Sequence, residues 1–225
     1  CNSDSLVSRA RNNLIAKAMA NPRTTHMLFI DADITWNVDD IIKLIISKKE
    51  LCGGVYPLKK YNWNRLVGNR PDEKDTNVVS DWLEKKNAGI FKNMIEDTEF
   101  IQHRLLSYNL NYVSNKIEIK DNMTEVRHIA TGFMMLTRST IEKMMKAFPY
   151  TKYTDDIGFL ESHENEFAYA LFDCGVENDH YLSEDWMFCE RWRKTGGSIY
   201  VDVTINLIHT GTESYNGCYL STIMA

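Results

Sequence analysis

Hydrophobic and polar positions alternate along the chain with two periods, which predicts helices separated by short strands. Residues 5–20 carry apolar side chains at helical spacing, so we expect an amphipathic helix there. Residues 26–30 form a continuous apolar run that ends at Asp31, as strands buried in parallel sheets do. The same reasoning predicts a second helix from Asp39 and a strand over residues 51–56.

The second half of the chain repeats this alternation after a polar, irregular stretch over residues 58–127. Within that stretch, residues 79–106 have helix-like apolar spacing. The later predicted elements are a strand over residues 126–137, a helix over 139–147, a helix over 183–194 and a strand over 198–208. Helices that alternate with strands indicate an α/β fold with a mostly parallel central sheet flanked by helices. No linker or repeat divides the chain, so we assign residues 1–225 to one domain, with 58–127 as an insertion.

Composition and charge narrow the classes of partner. The 225 residues are 44% hydrophobic and 25% charged, and the formal net charge of −5 argues against nucleic acid as a partner. The five cysteines are widely spaced and include no CxxC pair, which favours neither a zinc site nor a disulfide framework, and we expect a cytoplasmic location. No apolar run reaches the ~18 residues that a membrane-spanning helix needs.

Two carboxylates follow the apolar run of residues 26–30. Asp31 and Asp33 lie two residues apart at the end of the predicted strand, where ligands bind in parallel α/β sheets. Two carboxylates in one cleft repel each other unless a cation compensates, and oxygen ligands suit Mg²⁺ or Mn²⁺. The pair therefore predicts a divalent-metal site that holds a diphosphate. The alternative is a solvated turn in which an aspartate caps the following helix.

A second acidic pair opens the predicted helix over residues 183–194. Asp185 is a candidate general base that removes a proton from an acceptor hydroxyl, with Glu184 beside it. The alternative is that both carboxylates complement the helix dipole in the first turn.

Three further polar residues are candidates for the same site. His209 follows the last predicted strand, and imidazole binds Mn²⁺-type metals when carboxylates share the site. The alternative is a structural or surface histidine. Arg11 and Asn12 are neighbours on the first predicted helix, and arginine binds phosphate through two hydrogen bonds. Here the alternative is a surface charge on an amphipathic helix.

Six sequence segments, taken in order, resemble the GT-A glycosyltransferases. They are VSRARNNLIAKAM, HMLFIDADITW, CGGVYP, ATGFMMLTR, YLSEDWMFCERWRKTGG and LIHTG. The resemblance is to the family-2-like enzymes of viruses and bacteria and, more remotely, to the Anp1-type mannosyltransferases. It covers about residues 1–57 and 126–217 and implies a Rossmann-like GT-A fold. Members of this family begin with a strand that would precede Cys1, so we expect the first strand of the sheet to be missing.

The resemblance also implies roles for individual residues. Asp33 matches the metal-binding second acid of the DxD motif, His209 matches a third metal ligand, and Asp31 matches the acid that contacts the nucleotide. Asp185 matches the base of inverting members, with Glu184 as its neighbour. Positions that border the donor or its sugar are matched by Arg11, Asn12, Gly132 and Phe133.

These inferences predict an inverting glycosyltransferase that uses Mn²⁺ or Mg²⁺ and a UDP- or GDP-sugar donor. Its acceptor would be a glycan, lipid or protein, bound by residues 58–127 and by the loop over residues 150–182. Within these segments Tyr61, Trp63 and Tyr153 are candidate contacts, because aromatic faces suit sugar rings. Two alternatives stay open, namely a nucleotidyltransferase that makes sugar nucleotides and a sugar- or nucleotide-binding module without turnover.

Overall fold

A central seven-stranded sheet, flanked by helices, organises the molecule. The structure is a computed structural model, and it describes residues 6–66, 77–90 and 95–223. The helices are α1 (Val7–Ala20), α2 (Val38–Ile46), α3 (Val78–Ala88), α4 (Asp97–Leu105), α5 (Arg138–Ala147), α6 (Glu184–Lys194) and α7 (Tyr219–Ile223). The strands are β1 (His26–Ile30), β2 (Ile34–Thr35), β3 (Leu51–Gly53), β4 (Pro57–Tyr61), β5 (Leu106–Tyr108), β6 (Leu110–Tyr112), β7 (Ile119–Lys120), β8 (Met123–Ile129), β9 (Phe133–Thr137), β10 (Gly175–Glu177), β11 (His180–Leu182), β12 (Ile199–Asp202), β13 (Ile208–Thr210) and β14 (Ser214–Asn216).

The central sheet is mixed, so the prediction of a mostly parallel sheet was wrong. Its strand order is β1-β9-β3-β12-β8-β6, with β7 paired to β8, and β3 with β12 is the one parallel pair within the described chain. The antiparallel strand β9 lies between β1 and β3. It follows β8 after a short turn without an intervening helix, so the alternation of helices and strands fails at this point.

The predicted strand over residues 126–137 is in fact two strands at different places in the sheet. Residues 130–132 form no strand, and in the sheet β3 and β12 lie between β8 and β9. Side chains of β9 are buried on both faces of the sheet: Met134 and Leu136 join one hydrophobic cluster, whereas Phe133 and Met135 join the other. A strand that is buried on both faces reads as a continuous apolar run, which hides the break.

The predicted strand over residues 198–208 also divides in two. The carboxylate Oδ1 of Asp202 accepts hydrogen bonds from the backbone N–H of Thr204 at 2.8 Å and from its hydroxyl at 2.7 Å. This local turn ends β12. The chain then enters a separate three-stranded sheet with the order β14-β13-β2, which places His209 of β13 beside Ile34 of β2.

Strand β1 lies at the edge of the central sheet. Its five residues pair with β9 along one side, and within residues 6–66, 77–90 and 95–223 no strand pairs with the other side. The expectation of a missing first strand concerns sequence before Cys1, which lies outside the described residues.

The segment over residues 58–127 is more than a surface insertion. It contributes β6 and β7 to the central sheet, and β4 and β5 pair with each other in a small separate sheet. None of the helices that the structure describes is long and apolar enough to cross a membrane.

Candidate functional site

Asp33 lies between two basic side chains, one from strand β4 and one from strand β13. The Lys59 ammonium donates a hydrogen bond of 2.5 Å to Oδ2 of Asp33, and Nε2 of His209 lies 3.4 Å from the same oxygen. The backbone N–H of Thr210 donates to the carbonyl of Asp33 at 2.9 Å, which fixes the approach of β13. The hydrogen bond from Lys59 holds the pKa of Asp33 below its usual range. Asp33 is therefore a carboxylate that attracts cations.

His209 presents one ring nitrogen to this carboxylate. Its Nδ1 lies 2.8 Å from the carbonyl oxygen of Pro57, which can only accept a hydrogen bond, so Nδ1 carries the proton. In the neutral ring, Nε2 then has its lone pair directed to the side of Asp33. Metal-binding histidines commonly donate their second N–H to a backbone carbonyl in this way. Asp33 and His209 thus provide one oxygen and one nitrogen to a shared point.

Asp31 points to a different partner. The Arg11 guanidinium lies 3.5 Å from Oδ1 of Asp31 through Nη2, and its Nη1 donates to Oε1 of Glu184. Arg11 and Glu184 are mostly shielded from solvent, whereas the side chain of Asp31 is 44% exposed. One arginine from α1 therefore joins the end of β1 to the start of α6.

The three predicted metal ligands do not form one cluster. Across the described ranges, no three His, Cys, Asp or Glu side chains converge as a metal site would require. The pair of Asp33 and His209 nevertheless fits Mn²⁺ or Mg²⁺, because such ions often take only one or two protein ligands and complete their shell with phosphate oxygens and water. The Lys59 ammonium on Asp33 marks the position as one that favours positive charge.

Asp185 lies in the first turn of α6 and is buried. Its Oδ1 accepts hydrogen bonds from the Ser183 hydroxyl and, at 2.9 Å, from the backbone N–H of Trp186. No residue in the described ranges donates a hydrogen bond to Oδ2. Burial, followed by the negative charge of Glu184, raises the pKa of Asp185. The residue is thus a partly desolvated carboxylate with one oxygen left for another hydrogen-bond donor.

Tyr56 joins the two halves of the site, and sequence reasoning missed it. Its ring packs edge-on against His209 with centroids 5.1 Å apart, and its hydroxyl accepts a hydrogen bond of 3.2 Å from the backbone N–H of Gly132. Burial, followed by the charge of Asp31, raises the pKa of Tyr56. A Cβ atom at position 132 would lie 2.5 Å from the Tyr56 hydroxyl oxygen, so a larger residue would force the Tyr56 ring or the strand to shift. Gly132 therefore contributes space and a backbone donor.

Lys59 was also missed. It stands next to Lys60 in β4, and the pattern of that strand does not distinguish the two lysines. Their difference appears only when β4 is placed against β13 and the end of β1.

Two residues predicted to contact the donor, Asn12 and Phe133, are buried and make contacts within the fold. Asn12 is 3% exposed, and its side chain forms two hydrogen bonds with the backbone of Phe172, at 2.7 and 2.9 Å. Phe133 is fully buried in the core, and its carbonyl accepts a hydrogen bond from the backbone N–H of Gly54.

The three aromatic residues that were candidates for the acceptor lie in two places. Tyr61 and Trp63 form a cluster with Tyr215, with ring centroids 5.2 and 5.1 Å from that of Tyr61, and Trp63 is 63% exposed. The hydroxyl of Tyr153 donates to the side chain of Asn13 on α1, and its ring packs against a small buried cluster. The side chain of Tyr153 therefore makes its contacts within the protein.

The whole chain has little similarity to known proteins. No family model matches it, and no curated protein matches it. Among solved structures, it is similar to the crystal structure of A197 from STIV, with a TM-score of 0.42 and 12% sequence identity, over 92% of this chain and 69% of that one. A likeness of this size carries no information about what the chain binds.

Proposed function

We propose that the chain is a metal-dependent glycosyltransferase that uses a UDP- or GDP-sugar and transfers the sugar to an acceptor hydroxyl. The observation that carries the proposal is the convergence of Asp33 and His209, with Nε2 of the imidazole facing the carboxylate at 3.4 Å. An oxygen and a nitrogen ligand in this arrangement suit Mn²⁺ or Mg²⁺. When bound there, the ion would neutralise part of the charge on a diphosphate leaving group.

Arg11 and Lys59 supply the rest of the positive charge. Arg11 is fixed by Asp31 and Glu184, so its guanidinium is oriented before a ligand arrives. Lys59 is paired with Asp33, and a cation bound at that carboxylate would free its ammonium to contact the diphosphate. Groups that are already oriented toward developing charge stabilise a transition state without reorganisation.

Asp185 acts as the general base in this proposal. Its Oδ2 takes the proton of the acceptor hydroxyl while the acceptor oxygen bonds to the anomeric carbon. The bond from that carbon to the diphosphate breaks, and the electron pair leaves with the diphosphate oxygen. A single displacement of this kind inverts the anomeric centre and needs no covalent intermediate. The raised pKa of Asp185 suits a base that must accept a proton near neutral pH.

Nucleotide release distinguishes this proposal from its alternatives. The chain is incubated with Mn²⁺ and a panel of UDP- and GDP-sugars, and free UDP or GDP is measured over time. We expect slow hydrolysis of one donor in the wild type and none in Asp33→Asn. Pyrophosphate release from a nucleoside triphosphate and a sugar phosphate would instead indicate a nucleotidyltransferase. Saturable nucleotide-sugar binding with no release would indicate a binding module.

A further inference from the structure

A large cavity lies beside α6, and the residues of the cluster around Asp33 are not among those that line it. Its volume is about 960 Å³, at the upper end of the range of about 300–1,000 Å³ that ligand pockets occupy. The walls come from β6 and the turn after it, from β8, from the β10–β11 hairpin and from α6. We refer to this cavity as the hairpin cleft.

The hairpin cleft adjoins the proposed base. Trp186, the residue after Asp185, is part of its wall and stacks on His128 with ring centroids 4.8 Å apart and an angle of 9° between the planes. Burial lowers the pKa of His128, whereas Glu190 and the charge of Asp185 act in the opposite direction. Asp185 does not line the cleft itself, but its backbone adjoins that of Trp186, which does.

The polar groups of the cleft suit a ligand with neighbouring hydroxyl groups. Oε1 of Glu190 accepts two hydrogen bonds of 2.7 Å, from Nε of Arg127 and from Nε2 of His128. No described residue pairs with Oε2 of Glu190 or with the two terminal nitrogens of Arg127. One carboxylate oxygen and a guanidinium edge can bind two adjacent hydroxyls. The buried indole nitrogen of Trp186 also has no acceptor within the described ranges, and a ligand or ordered water is the usual partner of such a group.

The charge of the cleft argues against an anionic ligand. Arg127 is the only lysine or arginine among the described lining residues, and it is already paired with Glu190. Glu177 adds a carboxylate, which is paired with Lys194. A phosphate or carboxylate ligand would find no uncompensated cation here.

Two tyrosine rings give the cleft an aromatic surface that suits a sugar ring. Tyr181, on the β10–β11 hairpin, is 71% exposed, and Tyr112, on β6, is 39% exposed. Aromatic faces pack well against the C–H surfaces of sugar rings, while amide and hydroxyl groups bind their oxygens. Amides are supplied by Asn111, Asn115 and Asn178.

We infer that the hairpin cleft binds the acceptor and that this acceptor is a neutral oligosaccharide. Calling this ligand the acceptor rests on the proposed transferase activity. Carbohydrate binding by the cleft can be tested without that activity. The cleft places such a ligand beside Trp186, whose backbone adjoins that of Asp185 in the first turn of α6. This assignment differs from the prediction that Tyr61 and Trp63 contact the acceptor, because the Tyr61–Trp63–Tyr215 cluster does not line the cleft.

Binding is measured directly on an array of neutral and sialylated oligosaccharides, followed by titration of the best neutral ligand. We expect neutral oligosaccharides to bind the wild type, and Tyr181→Ala to weaken binding about tenfold through loss of an aromatic contact. Glu190→Gln is expected to weaken binding as well, since it removes the charge that orients Arg127 and His128. Tyr150→Ala is the matched control, because Tyr150 is 75% exposed and lies outside the cleft. Thermal unfolding of each variant checks that the fold is retained.

Three outcomes would overturn the inference: no oligosaccharide binding, preference for sialylated ligands, or loss of binding in Trp63→Ala but not in Tyr181→Ala. Donor hydrolysis by the wild type is measured in parallel. Hydrolysis without oligosaccharide binding would reject the cleft and leave the transferase proposal standing. Oligosaccharide binding that depends on Tyr181, without hydrolysis of any donor, would reject the transferase and leave the cleft as a carbohydrate site.

Discussion

Nε2 of His209 lies 3.4 Å from Oδ2 of Asp33, although Asp33 lies in the turn between β1 and β2 and His209 lies in β13. The hydrogen bond from Nδ1 of His209 to the carbonyl of Pro57 keeps the lone pair of Nε2 on the side of the carboxylate. Two electron-rich atoms at this distance repel each other unless a proton or a cation lies between them. The pair is therefore arranged for a positively charged partner.

Removing either ligand should weaken metal binding. We expect His209→Ala and Asp33→Asn each to raise the Kd for Mn²⁺ by about tenfold or more, since even the loss of a residue that only orients a ligand costs 10- to 100-fold. Titration followed by the electron paramagnetic resonance signal of free Mn²⁺ provides the measurement. His180→Ala is the control, because this exposed histidine lies at the hairpin cleft instead. Equal Mn²⁺ affinity in the wild type and in both ligand variants would reject the site.

Lys59 should compete with the metal and assist the nucleotide. Lys59→Met removes the ammonium from Asp33, so Mn²⁺ affinity without nucleotide should rise by up to about fivefold, the limit set by the ~1 kcal/mol that partly exposed ion pairs contribute. The affinity for UDP or GDP in the presence of Mn²⁺ should fall, because the freed ammonium no longer contacts the diphosphate. Isothermal titration calorimetry measures both constants. Lys60→Met, on the exposed neighbour in β4, should change neither, and a fall in both affinities in Lys59→Met would contradict the proposed competition.

Asp185→Asn should abolish transfer while donor binding persists. Loss of a general base costs on the order of 10²–10⁴ in rate, and Glu184→Gln, which keeps Asp185, should be milder. Burial raises the pKa of Asp185, so the base is ionised only above the ordinary range of an aspartate, and kcat/KM should fall at the acid side at a correspondingly higher pH. Transfer by Asp185→Asn at the wild-type rate, in a folded protein, would remove this residue from the mechanism.

The same raised pKa determines how Asp185 affects stability. A carboxyl group whose pKa is higher in the folded state binds its proton more tightly there, so its contribution to stability decreases as the pH rises through that pKa. The ionised form is thus unfavourable to folding at neutral pH. Asp185→Asn should therefore unfold at the same temperature as the wild type or at a higher one, as measured by calorimetry at pH 7.

Gly132→Ala should disturb Tyr56 and, through it, His209. The added Cβ would lie 2.5 Å from the Tyr56 hydroxyl oxygen, so the ring must move or the strand must shift, at a cost of about 1–3 kcal/mol. Chemical denaturation should show this loss, and Mn²⁺ affinity should fall because Tyr56 packs against His209. Gly175→Ala is the matched control, since its Cβ would meet only the flexible end of Met187, at 3.3 Å. A variant as stable as the wild type would show that Tyr56 moves away freely.

Asn12→Ala tests whether this buried side chain serves the fold. The substitution leaves the N–H and the carbonyl of Phe172 without partners, and we expect a loss of roughly 2–4 kcal/mol in the free energy of unfolding. Leu14→Ala, on the exposed side of the same helix, should change stability by no more than about 0.5 kcal/mol. Unchanged stability in Asn12→Ala, with a loss of nucleotide binding, would support the role at the donor that the sequence predicts.

Local patterns predicted many of the elements well. The strand over residues 26–30 has the predicted bounds, and the helices at Val7–Ala20 and Glu184–Lys194 begin within two residues of their predicted starts. These segments have strong periodicity or a turn signal at an end, which is information that a short window of sequence contains. The α/β class followed from their order and is confirmed. The directions of the strands could not be predicted from the sequence. Nothing in residues 130–132 distinguishes a turn between two distant strands from the middle of one long strand.

The site was predictable only in part, for a related reason. Asp33, Asp185 and His209 carry chemistry that marks them in a sequence, and each stands near the end or start of an element. Tyr56 and Lys59 carry no such mark, because an aromatic residue beside a proline and a lysine in a strand are common on any protein surface. Their roles arise from the packing of β4 against β13, and that contact is a property of the whole fold.

The ion pair between Arg11 and Glu184 joins residues that are 173 positions apart in the sequence, and Asn12 meets Phe172 across 160 positions. Closing loops of this length costs entropy that is recovered only when the core between them has formed. A nascent chain on the ribosome therefore exposes its aspartate pair before the opposing helix, Glu184–Lys194, and His209 have been made. A chain that stalls before α6 has been made therefore carries Asp33, Lys59 and Arg11 but lacks the proposed base Asp185 and the proposed metal ligand His209.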